Sequence, residues 1–509
     1  MKKQTFRIAA AVLALLMVLS LFPMSALAGE IPGTIQVKVK HEMDDTDVEN
    51  TFTYSDSYFY GDSYKYNNDL AKLALGLCFA AGSSHDALNA GDRAGETKNW
   101  EAMMNQCGFQ DIESNADMHR KADSNTFGIN AARKTIHDKK GAATLIVAAG
   151  RSFGYNAEWG GNAYVGASGD HAGFAICRDT EIRFLQQYVR KHKITGRVKL
   201  VLAGNSRSAI AANLVGGALD QGKADIGVKV NPHDLFVYTY ESPLGAPIAD
   251  TMKGDYGNIH NIVNPADMVA VVPFYTWGFA RYGTDHYLPT KGQKEYEELL
   301  PKEEATLAAN PADKLVIGNK YWPDAFQAYD ATYSNGMLTS VTRTDETQPQ
   351  FYKDFAKAVN DAFITREEYV SVLEPYVVQL VHDFFDQDKP EAAAVLQTLL
   401  QNIQANWQDI ATSLLNGTSE TVLTNVVAKS LRDSNFSAIS DADLQKVVHE
   451  FSVRGKNFMQ KYPGTTVTLL RNIVICFEPH FSSNEYAWAM VTPASFMEQN
   501  TGYSYDTLK

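Results

Sequence analysis

The spacing of apolar and polar positions changes several times along the chain, and each change marks a different kind of element. Over residues 34–55 the positions alternate, with Ile35, Val37 and Val39 followed by Thr51, Thr53 and Tyr54. That period of two predicts a pair of edge-like antiparallel strands. After an aromatic, polar loop at 56–69, Leu70, Leu73, Ala74, Leu77 and Cys78 recur at helical spacing. The loop is read as a staple that docks this first helix. Trp100 to Cys107 predicts a second helix, closed by Gly108. Four later runs are apolar almost without a break: Thr144–Ala149, Val198–Ala203, Leu235–Tyr240 and Ile259–Val263. Such runs suit parallel strands covered on both faces. Between them lie a crossover helix from Asp179 to Lys191, with Phe184, Leu185, Tyr188 and Val189 inward, and a second one through Ile210, Leu214 and Val215. Strands alternating with helices predict an α/β fold with a mainly parallel sheet and helices on both faces.

From about 289 to 463 the pattern becomes helical and charged. Thr365 to Glu368 is a capping box that opens a helix carrying Leu373, Val377, Leu380 and Phe384. Pro390 starts another, with Leu396, Leu399, Ile403, Trp407, Ile410 and Leu414, and Asn416-Gly417 ends it. Ser440 with Asp443 caps a third. This reads as a large helical insertion over the strand ends. The chain then returns to an apolar segment, Val467 to Phe477. The expected organisation is a signal at 1–28, a core at 29–288, the insertion at 289–463 and the end of the core at 464–509.

The signal is assigned from Lys2, Lys3 and Arg7, an apolar stretch from Ile8 to Leu21, and the small-residue site Ala26-Leu27-Ala28. It predicts secretion with cleavage after Ala28. No other run is apolar and long enough to span a membrane. The formal net charge is −13, and it becomes more negative without the signal, which argues against nucleic acid as a partner. Cys78, Cys107, Cys177 and Cys476 are widely spaced. Three disulfide pairings and four buried thiols are equally compatible with that spacing.

The candidate chemistry centres on Gly204-Asn205-Ser206-Arg207-Ser208-Ala209, between an apolar strand and a small-residue helix. A serine at such a corner sits on a sharp turn with its hydroxyl above the sheet, and small neighbours let strand and helix nearly touch. The N–H of Arg207, at the helix start, is placed for a developing oxyanion. The loop after Ala149 is where a second donor arises in serine hydrolases, and the Arg151 N–H is the candidate. A serine hydroxyl needs a base, and the base needs an orienting acid. Asp267 follows the strand Ile259–Val263, and His480 follows the last apolar segment, so Ser206, Asp267 and His480 stand in the chain order of α/β hydrolases. Asp255, Asp285 and His286 compete for these roles. Zinc-peptidase, phosphate-loop and dinucleotide fingerprints are absent, and Asp44, Asp45 and Asp47 lack the ligand spacing of a calcium loop. No cofactor or metal is expected.

These residues resemble the class 3 lipases, and more closely a bacterial secreted branch of lipase-like α/β hydrolases. The elbow is similar to that branch's G-H-S-R-G-A, and Asn213 follows it as in the family. The segment from Tyr256 to Asp267, ending Asn264-Pro265-Ala266-Asp267, resembles the family's N-P-x-D, whose Asp is the triad acid. Val269, Pro273, Trp277, Phe279, Arg281 and Gly283 continue the match. His480, Glu485, Tyr486 and Trp488 are similar to the segment that carries the family's base, and Glu158, Trp159 and Asn162 to its E-W-x-x-N. The chain departs from the pattern at Asn205, where the family has His, at Ser208, where it has Gly, and at Ala149-Gly150, where it has Arg-Gly. The resemblance implies an α/β-hydrolase fold and a secreted ester hydrolase of the lipase or esterase kind. Its substrate would be an ester or lipid, with transient contact at a lipid surface and no nucleic acid. The altered elbow keeps a non-catalytic binding module in play, and the same triad would serve a peptidase or an acyltransferase.

Overall fold

The computed structural model describes residues 31–507, apart from 32, 44–45, 83–94, 96, 121, 152–157, 310–330, 335–336, 342–348, 385–401, 403–404, 417–420, 423, 427–428, 430–439, 473–479 and 481. The expected signal, Cys476, and most of the helix expected from Pro390 lie outside them.

The alternating segment forms a hairpin, β1 (Ile35–Met43) against β2 (Thr46–Tyr54), with Ile35 opposite Tyr54. Helix α1 (Asn68–Ala81) follows, capped by the Asn67 side chain, which accepts from the amides of Asp69 and Leu70. The aromatic loop before it is pinned at its carboxyl end. The Tyr238 hydroxyl accepts the Asn67 N–H, and Tyr66 stacks on His286. Helix α2 (Lys98–Gln106) ends where Gly108 takes a φ of 70°.

Two strands come next that the apolar pattern does not predict, β3 (Gln110–Ser114) and β4 (Ile129–Asp138). In β4 the pattern is broken by buried polar residues. Asn130 donates to the Ala81 carbonyl, and Lys134 pairs with the fully buried Asp56 at 2.9 Å. After these come β5 (Gly141–Gly150), α3 (Ala172–Lys191), β6 (Val198–Asn205), α4 (Arg207–Asp220), β7 (Val230–Tyr240), β8 (Ile259–Val263) and β9 (Thr284–Tyr287). Helix α3 starts seven residues earlier than the periodicity predicts, because the His171 ring accepts the Phe174 N–H and caps it.

With the short β10 (Thr501–Gly502) these strands form one eight-stranded sheet in the order β3-β4-β5-β6-β7-β8-β9-β10. The run from β5 to β9 is parallel. The pairs β3/β4, β4/β5 and β9/β10 are antiparallel. Successive residues of the central strands point into different cores, which explains their continuous apolar character. Leu145, Val147, Val201, Ala203, Phe236 and Tyr238 pack with α1 and the hairpin on one face. Ile146, Ala148, Leu200, Leu202, Leu235 and Val237 pack with α3 and α4 on the other.

Beyond β9, helix α5 (Lys294–Ala309) places Tyr296 and Leu299 in the same core as the sheet, and Tyr296 stacks on Trp488. Core packing thus continues past residue 289. Helix α6 (Pro349–Ala362) and helix α7 (Asp441–Lys461) share a separate aromatic cluster that includes Tyr352, Phe355 and Phe458. The Thr365 capping box is formed. The apolar return begins as helix α8 (Pro463–Asn472), and its remainder to residue 479 lies outside the described residues. Helix α9 (Ser482–Val491) follows the residue expected to be the base. Among the described residues no helix is long and apolar enough to cross a membrane. Cys78, Cys107 and Cys177 are buried free thiols.

Candidate active site

Strand β6 delivers Ser206 to its carboxyl end, and α4 begins at the next residue. Ser206 has φ 54° and ψ −121°, a conformation costly for any residue with a Cβ. It is held there by its amide, which donates to the Tyr240 carbonyl of the neighbouring strand at 2.9 Å. The strand and the helix approach so closely that a Cβ on Gly204 would meet the Ser208 carbonyl oxygen at 2.2 Å. This is the strained strand-to-helix elbow that lifts a serine hydroxyl clear of its own backbone.

The three residues expected to act together do meet. His480 Nε2 lies 2.9 Å from Ser206 Oγ, and His480 Nδ1 lies 2.8 Å from Asp267 Oδ2. Asp267 is fully buried, while Ser206 and His480 are each 9% exposed. A carboxylate on Nδ1 fixes the tautomer that leaves Nε2 as an acceptor for the serine proton. Asp267 is itself oriented by its turn. Its Oδ1 accepts the Val269 N–H at 2.8 Å, its amide donates to the Asn264 carbonyl, and Asn264 Oδ1 accepts the Ala266 N–H. The competitors are engaged elsewhere. His286 contacts the Met497 carbonyl and His260, Asp285 is paired with Arg281, and Asp255 accepts the Gly257 N–H.

The two proposed oxyanion donors fare differently. Arg207 is the first residue of α4, so its N–H has no intrahelical acceptor and points out of the helix start beside Ser206. The Arg151 N–H, by contrast, is committed to the Gly128 carbonyl at 2.8 Å. It is spent within the sheet at the end of β5, and its assignment as the second donor is corrected on that ground. The side chain of Arg151 is buried. It pairs with Glu158 at 2.5 Å, and Glu158 also lies 3.5 Å from the Arg207 guanidinium. Arg207 completes this buried cluster by donating to the carbonyls of Thr126 and Ser124.

The departures from the family pattern are accommodated locally. The Ser208 hydroxyl accepts the Asn205 N–H at 2.9 Å and donates to the Asn205 carbonyl at 2.8 Å, which braces the elbow. Asn205 Nδ2 reaches both oxygens of the buried Glu485 on α9, at 2.9 and 2.7 Å. That contact joins the nucleophile strand to the helix next to His480. Sequence reasoning left Glu241 and Glu485 without a role. Both are buried carboxyls beside the triad, and a Glu at the end of an apolar strand is the signal that was available.

Part of the helical region packs against this end of the sheet. Tyr352 of α6 donates to the Ala266 carbonyl, Tyr369 to the Ala163 carbonyl, and the Glu374 carboxylate accepts the Gly166 N–H.

The sheet, the elbow and the order Ser206, Asp267, His480 define an α/β-hydrolase fold. No family model matches the chain, and no curated protein matches it in sequence. Among solved structures it is similar to fungal lipases. Lipase II from Rhizopus niveus is 16% identical, with 44% of this chain and 83% of that one covered and a TM-score of 0.31. The lipase from Rhizopus microsporus var. chinensis is 17% identical, with 44% and 75% covered and a TM-score of 0.29. The Rhizomucor miehei triacylglyceride lipase is 16% identical, with 44% and 82% covered and a TM-score of 0.29. The fold assignment rests on topology and site geometry rather than on these overlaps.

Proposed function

We propose that the chain is a secreted serine hydrolase that cleaves carboxylic esters, of the lipase or esterase kind. The observation that carries this reading is the continuous contact from Ser206 Oγ through His480 to Asp267, set on a strained elbow. In this mechanism Ser206 Oγ attacks the ester carbonyl while His480 Nε2 takes its proton. Asp267 stabilises the imidazolium that forms, and the Arg207 N–H holds the oxyanion. His480 then returns the proton to the leaving alcohol. A water molecule, deprotonated by the same imidazole, releases the acid from the acyl-enzyme. This chemistry calls for no cofactor. The helices that lean on residues 163–166 and 266 would shape acyl selection, and the segment 1–28 would direct export with cleavage after Ala28.

The test is turnover of a graded series of p-nitrophenyl esters by the full chain lacking residues 1–28, beside Ser206→Ala and Asp267→Asn. The reading expects hydrolysis with saturation kinetics, abolished in S206A and reduced about 10⁴-fold in D267N. Amide substrates and acceptor alcohols run in parallel distinguish a peptidase or an acyltransferase. A folded wild-type protein that turns over none of them contradicts the proposal.

A further inference from the structure

Two histidines outside the triad face each other near the edge of the sheet. His260 on β8 and His286 on β9 are 2% and 3% exposed, and His260 Nδ1 lies 3.0 Å from His286 Nε2. Their outer nitrogens face backbone carbonyls. His260 Nε2 is 2.9 Å from the Ser63 carbonyl of the aromatic loop. His286 Nδ1 is 2.8 Å from the Met497 carbonyl, in the short helix Ala494–Gln499.

A carbonyl oxygen only accepts, so each outer nitrogen needs a proton to make its contact. A neutral imidazole has a single N–H. With both outer nitrogens protonated, two neutral rings would turn bare lone pairs on each other across 3.0 Å. The three contacts therefore call for three N–H protons, and two neutral rings hold two. Without the third, one ring nitrogen faces an acceptor with no hydrogen between them, which leaves a buried polar group unsatisfied.

The surroundings suit one extra proton and exclude a second. The Tyr66 ring stacks on His286 with 4.1 Å between centroids, and the Tyr238 ring lies 4.9 Å from His260. An aromatic ring so placed favours a cation. Both tyrosine hydroxyls stay neutral, since burial pushes their titration up. The Asp285 carboxylate, next to His286 on β9, favours the charged form of that ring while it is also paired with Arg281. Glu498, on the helix that carries Met497, lies within electrostatic reach of Tyr66. Against these, burial opposes charge on either ring, and a charge on His286 opposes one on His260. Two imidazoliums in contact are thereby ruled out, whereas one proton lying between the rings satisfies every nitrogen.

We propose that His260 and His286 form a proton-binding pair, an imidazole and an imidazolium joined by an N–H···N hydrogen bond, which ties the aromatic loop and the helix Ala494–Gln499 to the sheet in a pH-dependent way. The proposal is independent of the hydrolase reading. While the proton is held, Ser63 and Met497 are both anchored. When it leaves, one of the three contacts has to open. In the unfolded chain each histidine takes a proton below the ordinary value of 6.5 and releases it above. The folded pair holds one extra proton on both sides of that value. Below it the unfolded chain binds more protons, so acid lowers stability. Above it the folded pair binds more, so stability falls as pH rises until the pair gives up its proton.

NMR spectra of wild-type protein labelled with ¹⁵N-histidine, recorded at neutral pH, test the protonation state directly. Protonated-type shifts are expected at both outer nitrogens, with a ¹⁵N–¹⁵N coupling across the hydrogen bond between His260 Nδ1 and His286 Nε2. A bare, pyridine-type shift at either outer nitrogen, or the absence of that coupling, overturns the proposal. His286→Gln offers His260 Nδ1 an uncharged amide N–H and has no shared proton to lose. Relative to H286Q, wild-type protein should lose up to about tenfold in its folding equilibrium constant per pH unit above 6.5. Urea titrations that give parallel pH curves for the two proteins also overturn it. If H286Q does not fold, the wild-type spectra decide alone.

Discussion

Ser208 occupies the space that Gly150 leaves open. A Cβ on Gly150 would stand 2.9 Å from the Ser208 Cβ and 2.4 Å from the Phe127 ring. The hydroxymethyl group that departs from the usual elbow pattern is thus received by a glycine on the neighbouring strand, and its hydroxyl is bonded to both backbone groups of Asn205. Gly150→Ala is expected to destabilise the fold by about 1–3 kcal/mol through overpacking. Ser208→Gly should cost about 1 kcal/mol, mainly the lost hydrogen bonds and helix propensity. In the double variant part of the G150A cost should disappear, as coupled neighbours require. Urea midpoints of the four proteins check this.

The Asn205–Glu485 contact is expected to hold the nucleophile strand to the helix after His480. Asn205→Ala leaves a buried carboxyl without that donor, at a cost of about 1–3 kcal/mol. The same change in a Glu485→Gln background should cost less, because a neutral amide is less demanding of donors. Equal costs in the two backgrounds, read from denaturant titrations, would show that the contact carries no such role.

Glu158 compensates charge between two buried guanidiniums, Arg151 and Arg207. Removing one partner of such a cluster leaves uncompensated buried charge, so Glu158→Ala should cost about 3–5 kcal/mol. Arg207 also carries the candidate oxyanion N–H, so the rate of any ester turnover should fall as well. A thermal midpoint within error of wild type would contradict the buried-cluster account.

Glu181 is buried in α3, neither of its oxygens has a hydrogen-bond partner among the described residues, and burial pushes its carboxyl up to about 8. The native state therefore holds a proton that the unfolded state has already released. Between the ordinary value of 4.5 and about 8 the native state binds more protons, so stability falls as pH rises through that window and levels above it. The slope from this one group approaches about 1.4 kcal/mol per pH unit. Glu181→Gln should remove that slope and be the more stable protein at alkaline pH. Stability curves at several pH values that stay parallel for the two proteins would refute this.

The central sheet was legible because strands buried on both faces have little choice but to be apolar throughout. The elbow and the order of Ser206, Asp267 and His480 were legible because each stands just past an apolar run or beside a small-residue turn. Strand β4 was hidden by Asn130 and Lys134, whose partners Ala81 and Asp56 are far off in sequence. The fate of the Arg151 N–H was equally hidden, since it depends on where the Gly128 carbonyl lies. The contact of Glu485 with Asn205 spans 280 residues of sequence, and no local pattern encodes it.

The most direct measurement is covalent labelling by a fluorophosphonate, read by intact mass and by the modified peptide, in wild-type protein, Ser206→Ala and His480→Ala. The account predicts a single adduct on Ser206 in the wild type, none in S206A, and labelling slowed by orders of magnitude in H480A. A folded wild-type protein that takes up no label, or takes it at another serine, would contradict an activated Ser206.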